Sequence, residues 1–250
     1  MEKLPSYLNL LYLARMCAVG IAFTAASIGV LPVFLLRSGD TRNNKVFCSV
    51  INFMLLRILG IKMEVDTSAA VYNDRSVVCV VNHQGVLDVI ACGAVLPTRS
   101  STLAKRSLGK IPIWGTIFRH GGNILVDRGD SSARRIAMNG MNDIIKNKKG
   151  SLWIFPEGTR NRSNQIKRFH DGAFRCAQQT KTSIQPVAIS TFAGNINFRR
   201  WNTGTIAIKV LPPVDMSQET DISIPEAVEK IKNRMQAEID RLDGLVSSLI

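Results

Sequence analysis

The sequence predicts an α/β fold: a layered mixed sheet flanked by helices, with an N-terminal apolar helical membrane segment. Three observations predict it. Beyond about Lys62, short β-rich runs alternate with helical ones, the pattern of a sheet covered by helices. Ahead of them lies an uncharged stretch of 21 residues, Met16 to Leu36. Twice, finally, an apolar run ends in ionisable residues, and strand ends are where ligands bind in open α/β sheets. The chain therefore divides into residues 1–62, a membrane-associated helical segment, and residues 63–250, an α/β domain that carries the candidate site.

The elements follow in order. As a helix, Met16–Leu36 ("MCAVGIAFTAASIGVLPVFLL") reaches about 30 Å, enough to cross a hydrocarbon core. Pro32 and two glycines make it an imperfect helix, open to kinking or re-entrance. A cleaved signal peptide is one alternative, but the apolar run is too long and Arg15 interrupts its start. A buried core helix is the other. Val46–Leu59 is shorter, carries Arg57 and suits an interfacial or core helix. Arg15, Pro32 and the glycines favour a re-entrant or shallow arrangement over a simple span. The basic residues after the first segment, Arg37, Arg42 and Lys45, place the main domain on the cytosolic side.

Strands are expected at 77–81, 123–127, 151–155, 184–190 and 205–211, each a β-branched or apolar run. Helical spacing of Ile136, Met141, Ile144 and Ile145 marks a helix over 131–147. Val228, Ile231, Met235, Ile239 and Leu242 mark a C-terminal one, with Ser223 and Glu226 as its capping box.

Composition narrows the partners. The formal charge of +13 calls for a polyanion: nucleic acid, an anionic membrane surface or a phosphorylated substrate. The missing basic–aromatic platform argues against nucleic acid. Five cysteines, an odd number without a C-x-x-C pair, read as reduced, buried thiols. The three histidines are not at zinc-ligand spacing.

Two stretches carry chemistry. In "VVNHQGVLDV" (Val80–Val89) an apolar run ends in Asn82 and His83, with Asp88 five residues after the histidine. Mid-helix, residues five apart lie about 140° apart and do not meet. They converge if His83 sits in the turn after the strand and Asp88 in the first turn of the next helix. Gly85 permits such a turn. A carboxylate beside an imidazole fixes its tautomer and stabilises the imidazolium formed when it takes a proton. With no serine in the motif, the nucleophile would be a substrate hydroxyl and His83 its general base. A histidine and an aspartate merely placed at a helix start are the plainer alternative.

The second stretch, "FPEGTRNRS" (Phe155–Ser163), again follows an apolar strand. Gly158 lets the backbone approach a ligand, Thr159 offers a hydroxyl, and Arg160 a planar fork suited to phosphate. Glu157 could orient Arg160 or accept a substrate hydroxyl. Basic residues gather around both stretches. From 99 to 128 six Lys/Arg face only Asp127, and from 160 to 175 five face only Asp171.

Taken in order, "NHQGVLD", "GNILVDR", "FPEGTRNR" and "IQPVAIS" resemble the glycerolipid acyltransferase family, in particular its lysophosphatidic acid acyltransferases. The resemblance spans roughly Val77–Ser190 plus the apolar N-terminus. It implies His83 as catalytic base and Asp88 as its partner. It ties Arg128, Glu157, Gly158, Thr159 and Arg160 to binding the glycerol phosphate, and Lys105 to supporting that phosphate. Pro186 falls in the block tied to the acyl donor or to site shape. Two positions depart from the family pattern: Gly85 where serine is frequent, and "FHDGAF" where "FKKGAF" is frequent.

The expectation is a membrane enzyme that moves a fatty acyl group from acyl-CoA, or an acyl carrier protein thioester, to the sn-2 hydroxyl of 1-acylglycerol 3-phosphate. Glycerol 3-phosphate or another lysophospholipid is the alternative acceptor, and a non-catalytic basic module the alternative class. No metal or cofactor is implied, since acyl-CoA is a co-substrate. The membrane would be the endoplasmic reticulum in a eukaryote and the inner membrane in a bacterium.

Overall fold

The computed structural model describes residues 6–72, 75–126, 131–147, 150–216 and 223–249. An eight-stranded mixed sheet runs through its centre. The strands are β1 (Ile61–Asp66), β2 (Val78–Val81), β3 (Ser100–Lys105), β4 (Ile124–Val126), β5 (Ser151–Ile154), β6 (Ser183–Ile189), β7 (Gly204–Val210) and β8 (Val214–Asp215). Their order is β1-β7-β6-β2-β5-β3-β4, with β8 beside β6. From β6 to β4 every neighbour is parallel, so the carboxyl ends of β2, β3, β4, β5 and β6 share one edge. The antiparallel pairing of β6 with β7 and β8 makes the sheet mixed.

Helices cover both faces. The helices α5 (Ser131–Lys146), α6 (Gly172–Thr180) and α7 (Ile224–Ser248) lie on one. The helices α1 (Ser6–Leu36), α2 (Arg42–Leu59), α3 (Leu87–Val95) and α4 (Trp114–His120) lie on the other. Successive residues of a strand face opposite ways. Val78 and Val80 of β2 accordingly enter the first core, and Cys79 and Val81 the second. A strand buried on both faces reads as an unbroken apolar run, as "VVCVV" does.

The N-terminal segment is a pair of helices, the first of them the expected apolar one. α1 is one helix of 31 residues that passes through Pro32. The proline falls in its last two turns, where it removes one hydrogen bond near an end already short of partners. The chain reverses over 37–41 and returns as α2. The pair is antiparallel: Phe34 meets Phe47 near the turn, while Arg15 reaches the backbone next to Gly60 at the far end. Gly60 stops α2 with a left-handed φ of 66° and donates its N–H to Leu56 O and Arg57 O.

Arg15, the only charge in α1, is 7 % exposed and turned into the domain. Its guanidinium donates to Phe198 O at 3.1 Å, Trp201 O at 3.0 Å and Thr203 Oγ1 at 3.0 Å. At the other end, Gly39 N donates to His120 O at 2.9 Å. The helix is thus fastened to the domain at both ends. Its outward stripe, which includes Leu13, Cys17, Ile21, Thr24, Ile28 and Leu35, is exposed and carries no charge.

Candidate active site

The site forms where β2, β5 and β6 end side by side. Asn82 follows β2 and is buried. Its Nδ2 donates to Ile189 O at 2.9 Å, and its Oδ1 accepts from Ile189 N at 2.9 Å. The side-chain amide thereby continues the β2–β6 ladder beyond the last backbone pair. The chain then leaves the sheet at a fixed point, with His83 next.

His83 is held at both backbone groups. Its N–H donates to Glu157 Oε1 at 2.9 Å, and its carbonyl accepts from Asn161 N at 2.7 Å. The ring stacks on Phe155, with centroids 4.2 Å apart and planes 21° apart. Its Nδ1 lies 2.5 Å from Asp88 Oδ2. Asp88 sits in the first turn of α3 and is fully buried, while the His83 side chain is 19 % exposed. The convergence expected from the five-residue spacing therefore occurs in the turn-plus-helix geometry that the sequence required.

Asp88 Oδ2 also accepts from Gln84 N at 2.7 Å and Gly85 N at 2.8 Å. A carboxylate only accepts, so the proton between the two side chains belongs to Nδ1. The His83 Nε2 lone pair is then free to take a proton from a hydroxyl. The amides of His83, Gln84 and Gly85 are all engaged, which removes them as donors to a reaction oxyanion. One turn along α3 from Asp88, burial and then the Asp88 charge hold the Cys92 thiol well above its ordinary pKa. It stays protonated and is no rival nucleophile.

Glu157 is placed otherwise than the sequence anticipates. It is 4 % exposed, with Oε1 on His83 N and Oε2 accepting from Asn161 Nδ2 and Lys167 N, each at 3.0 Å. Both oxygens are engaged inside the protein, on the loop that grips His83. Gly158 has a left-handed φ of 66°, and a Cβ there would come within 3.0 Å of His170. Thr159 and Arg160 are exposed directly beside Asn161. Lys105 is exposed at the carboxyl end of β3, on the same sheet edge. Arg128 lies outside the described residues.

Pro186 lies inside β6, paired with Val80, and is buried rather than open to the site. Proline is rare in a central strand because it cannot donate to the ladder. Here it sits where the antiparallel neighbour changes from β7 to β8, and only its carbonyl is used, accepting from Leu211 N.

Five supporting residues have no role assigned from the sequence. Gln84 Oε1 accepts from Phe192 N at 2.8 Å, and Gln84 Nε2 donates to Ser190 O at 2.9 Å. With Asn82 it pins segment 189–192 alongside His83. Asn161 links Glu157 to the His83 carbonyl. On α7, Ile239 lines a small cavity with His83, Glu157 and Thr191, and Asp243 accepts from Thr191 N. Only Asn82 and Gln84 carried a signal, as amides flanking the histidine. The two departures are absorbed locally. A Cβ at Gly85 would meet nothing within 4 Å, and Asp171, at the start of α6, pairs with Arg175 at 2.7 Å.

An imidazole backed by a buried carboxylate, open at a basic sheet edge, has the equipment of a general-base enzyme for an anionic substrate. The acyltransferase family model matches residues 62–190, more than half of the chain, and the chain belongs to that family. It is 30 % identical over 193 residues to the 1-acyl-sn-glycerol-3-phosphate acyltransferase of Salmonella typhimurium, covering 77 % of this chain and 79 % of that one. It is 29 % identical over 225 residues to the human 1-acyl-sn-glycerol-3-phosphate acyltransferase beta, covering 89 % and 80 %. Its fold matches the crystal structure of the Thermotoga maritima 1-acyl-sn-glycerophosphate acyltransferase with a TM-score of 0.73 at 22 % identity, over 94 % of this chain and 95 % of that one.

Proposed function

We propose that this acyltransferase moves a fatty acyl group from acyl-CoA to the sn-2 hydroxyl of 1-acylglycerol 3-phosphate, giving phosphatidic acid. The observation that carries the reading is the His83–Asp88 pair at 2.5 Å, with the His83 side chain 19 % exposed at the strand ends. His83 Nε2 takes the hydroxyl proton as the oxygen attacks the thioester carbonyl. The tetrahedral intermediate collapses, the C–S bond breaks, and the imidazolium returns the proton to the departing thiolate. Asp88 stabilises the imidazolium in between.

Lys105, Arg128 and Arg160 would hold the acceptor phosphate, with Thr159 adding a hydroxyl and Gly158 admitting the loop's close turn. Glu157 we assign to positioning: it holds the His83 N–H and the Arg160 loop, and reaches the substrate only through them. Pro186 would act on site shape from within the sheet. The donor thioester is acyl-CoA, with an acyl carrier protein thioester as the other source of the same group. No metal or bound cofactor enters the mechanism.

We also propose that α1 and α2 seat the domain on a membrane, with the active site on its cytosolic side. The support is the charge-free outward stripe of α1 together with the fastening of both helix ends. A helix fastened along the domain can lay its face into lipid without leaving the protein. Lipid acceptor and product would then reach the site with their chains out of water.

The test is release of free thiol from acyl-CoA by detergent-solubilised protein, with and without 1-acylglycerol 3-phosphate. Acceptor-dependent release that fails with glycerol 3-phosphate and with other lysophospholipids supports the reading. Equal rates with glycerol 3-phosphate would move the assignment to that acceptor. Absence of thiol release with any acceptor would remove the enzyme reading.

A further inference from the structure

We infer that the loop at 198–202 is a second lipid contact, an aromatic and basic foot that rests on an anionic bilayer beside the active site. The inference builds on the membrane part of the function proposed above, but concerns a surface outside the N-terminal segment.

Its position comes from strand register. Ile189, the last residue of β6, pairs with Ile208, and β7 begins four residues earlier at Gly204. The loop from 190 to 203 therefore stands beyond the carboxyl ends of the parallel strands, on the His83 edge. It begins at the segment that Asn82 and Gln84 pin beside the histidine. It ends against the Arg15 end of α1, where the outward apolar stripe of that helix starts.

Chemistry points to the partner. Trp201 is 76 % exposed, although indole is one of the costliest side chains to leave in water. Arg199 and Arg200 beside it are also exposed. Trp, with an apolar ring and one N–H, is enriched at membrane interfaces, and arginines add attraction to anionic headgroups. Leu10 and Leu13 of α1 are exposed at the same end, at 67 % and 58 %. Trp201 and the outward leucines of α1 are thus exposed at the same end of the domain, with positive charge beside Trp201.

The loop is also built to stay in place. Arg15 gathers the carbonyls of Phe198, Arg200 and Trp201, and its guanidinium lies 5.9 Å from the Trp201 ring centroid. Arg199 lies 5.8 Å over the ring of Tyr12. Gly60 leaves room for this junction, since a Cβ there would come within 2.7 Å of Arg15 Nη2 and 2.8 Å of Trp201 O. The side chain of Trp201 is the part left outside. An anionic phospholipid surface fits this aromatic–basic composition.

The experiment compares the full-length chain with Trp201→Phe and with the double change Arg199→Ala, Arg200→Ala. Protein is bound to phosphatidylcholine vesicles with and without phosphatidylglycerol, some made with brominated acyl chains. The difference in tryptophan emission between the parent and Trp201→Phe isolates Trp201. We expect that difference to be quenched by bromine. We expect the double change to raise the apparent KM on anionic vesicles by up to about 25-fold, roughly fivefold per charge. Activity in detergent micelles should stay unchanged, which also shows that the variants fold. If the parent cosediments with vesicles but Trp201 emission is not quenched, the loop is not in lipid and the inference falls while the anchor stands. If the parent does not cosediment at all, the membrane reading falls and takes the inference with it.

Discussion

Asp88 Oδ2 serves three donors at once, the His83 ring and the amides of Gln84 and Gly85. Asp88→Asn replaces the charge with an amide that can present a donor to those amides, and permits the wrong imidazole tautomer. His83→Ala removes the base itself but leaves the turn. Each should cut turnover by about 10²–10⁴-fold, His83→Ala with the fold intact by circular dichroism. Near-parent turnover in folded His83→Ala protein would end the general-base mechanism. Glu157→Gln separates positioning from phosphate binding. Its amide must meet either the His83 N–H or the Lys167 N–H and Asn161 amide with a donor, at a buried cost of about 1–3 kcal/mol. We expect kcat to fall at least tenfold (about 1.4 kcal/mol) with KM for the acceptor nearly constant. A rise in acceptor KM alone would return Glu157 to the phosphate. At Gly85 the outcome should be mild. The backbone is not left-handed and the space is open, so Gly85→Ser should keep activity and raise stability by about 0.4–1 kcal/mol, by reducing unfolded-state freedom. A loss of activity in a thermally intact Gly85→Ser protein would show that the turn must flex.

Elements differ in how far the sequence discloses them. β2, β5, β6, β7 and α7 are legible because their apolar periodicity is strong and their cores are dense. His83 and Asp88 are legible because ionisable residues at a strand end stand out against an apolar run. β1 is legible too, because "IKMEVD" alternates apolar and polar residues strictly, although the boundary expected after residue 62 cuts through it; β3 is not, because "SSTLAK" is small and polar and shows no clear period of two. What decides β3 is pairing with β4 and β5, which a local window does not contain. The same holds for Glu157 and Asn161, whose partner His83 lies more than seventy residues away. Arg15 is the sharpest case. In the sequence it reads as a charge that spoils a membrane helix. In the structure it is the fastening that turns the charge inward and frees the opposite face. Removing it is therefore an element-scale change. Arg15→Met leaves the carbonyls of Phe198, Arg200 and Trp201 without their donor, and should lower thermal stability by about 2–4 °C for a domain of this size per kcal/mol lost. It should also increase amide exchange at 198–203 before any change near His83. Unchanged exchange there would mean that the loop holds itself.

At the scale of the whole molecule, the question is how one chain presents a soluble-looking α/β domain and a 31-residue apolar helix. A helix of that length rises about 46 Å, more than a hydrocarbon core is thick, so length alone would permit a span. The attachments argue otherwise. Arg15 joins α1 to the loop after β6, and Gly39 joins its other end to His120. Spanning would require breaking one attachment or drawing the domain into the bilayer, with the charges around it. Lying in the interface requires neither, and it wets the polar side while burying the charge-free stripe. The prediction is that membranes carrying the protein retain it through high salt, which screens electrostatic association, and release it to detergent. Release by salt alone would show that the stripe is not in lipid. Topology is then read with single cysteines, after Cys17 on the exposed stripe is changed to serine along with any other reactive thiol. One cysteine replaces Lys3, ahead of α1 in the sequence, and another replaces Arg42, just after the reversal. In sealed vesicles an impermeant thiol reagent should label both from the same side. Labelling from opposite sides would mean that α1 crosses the bilayer and that the attachments at its two ends do not hold there.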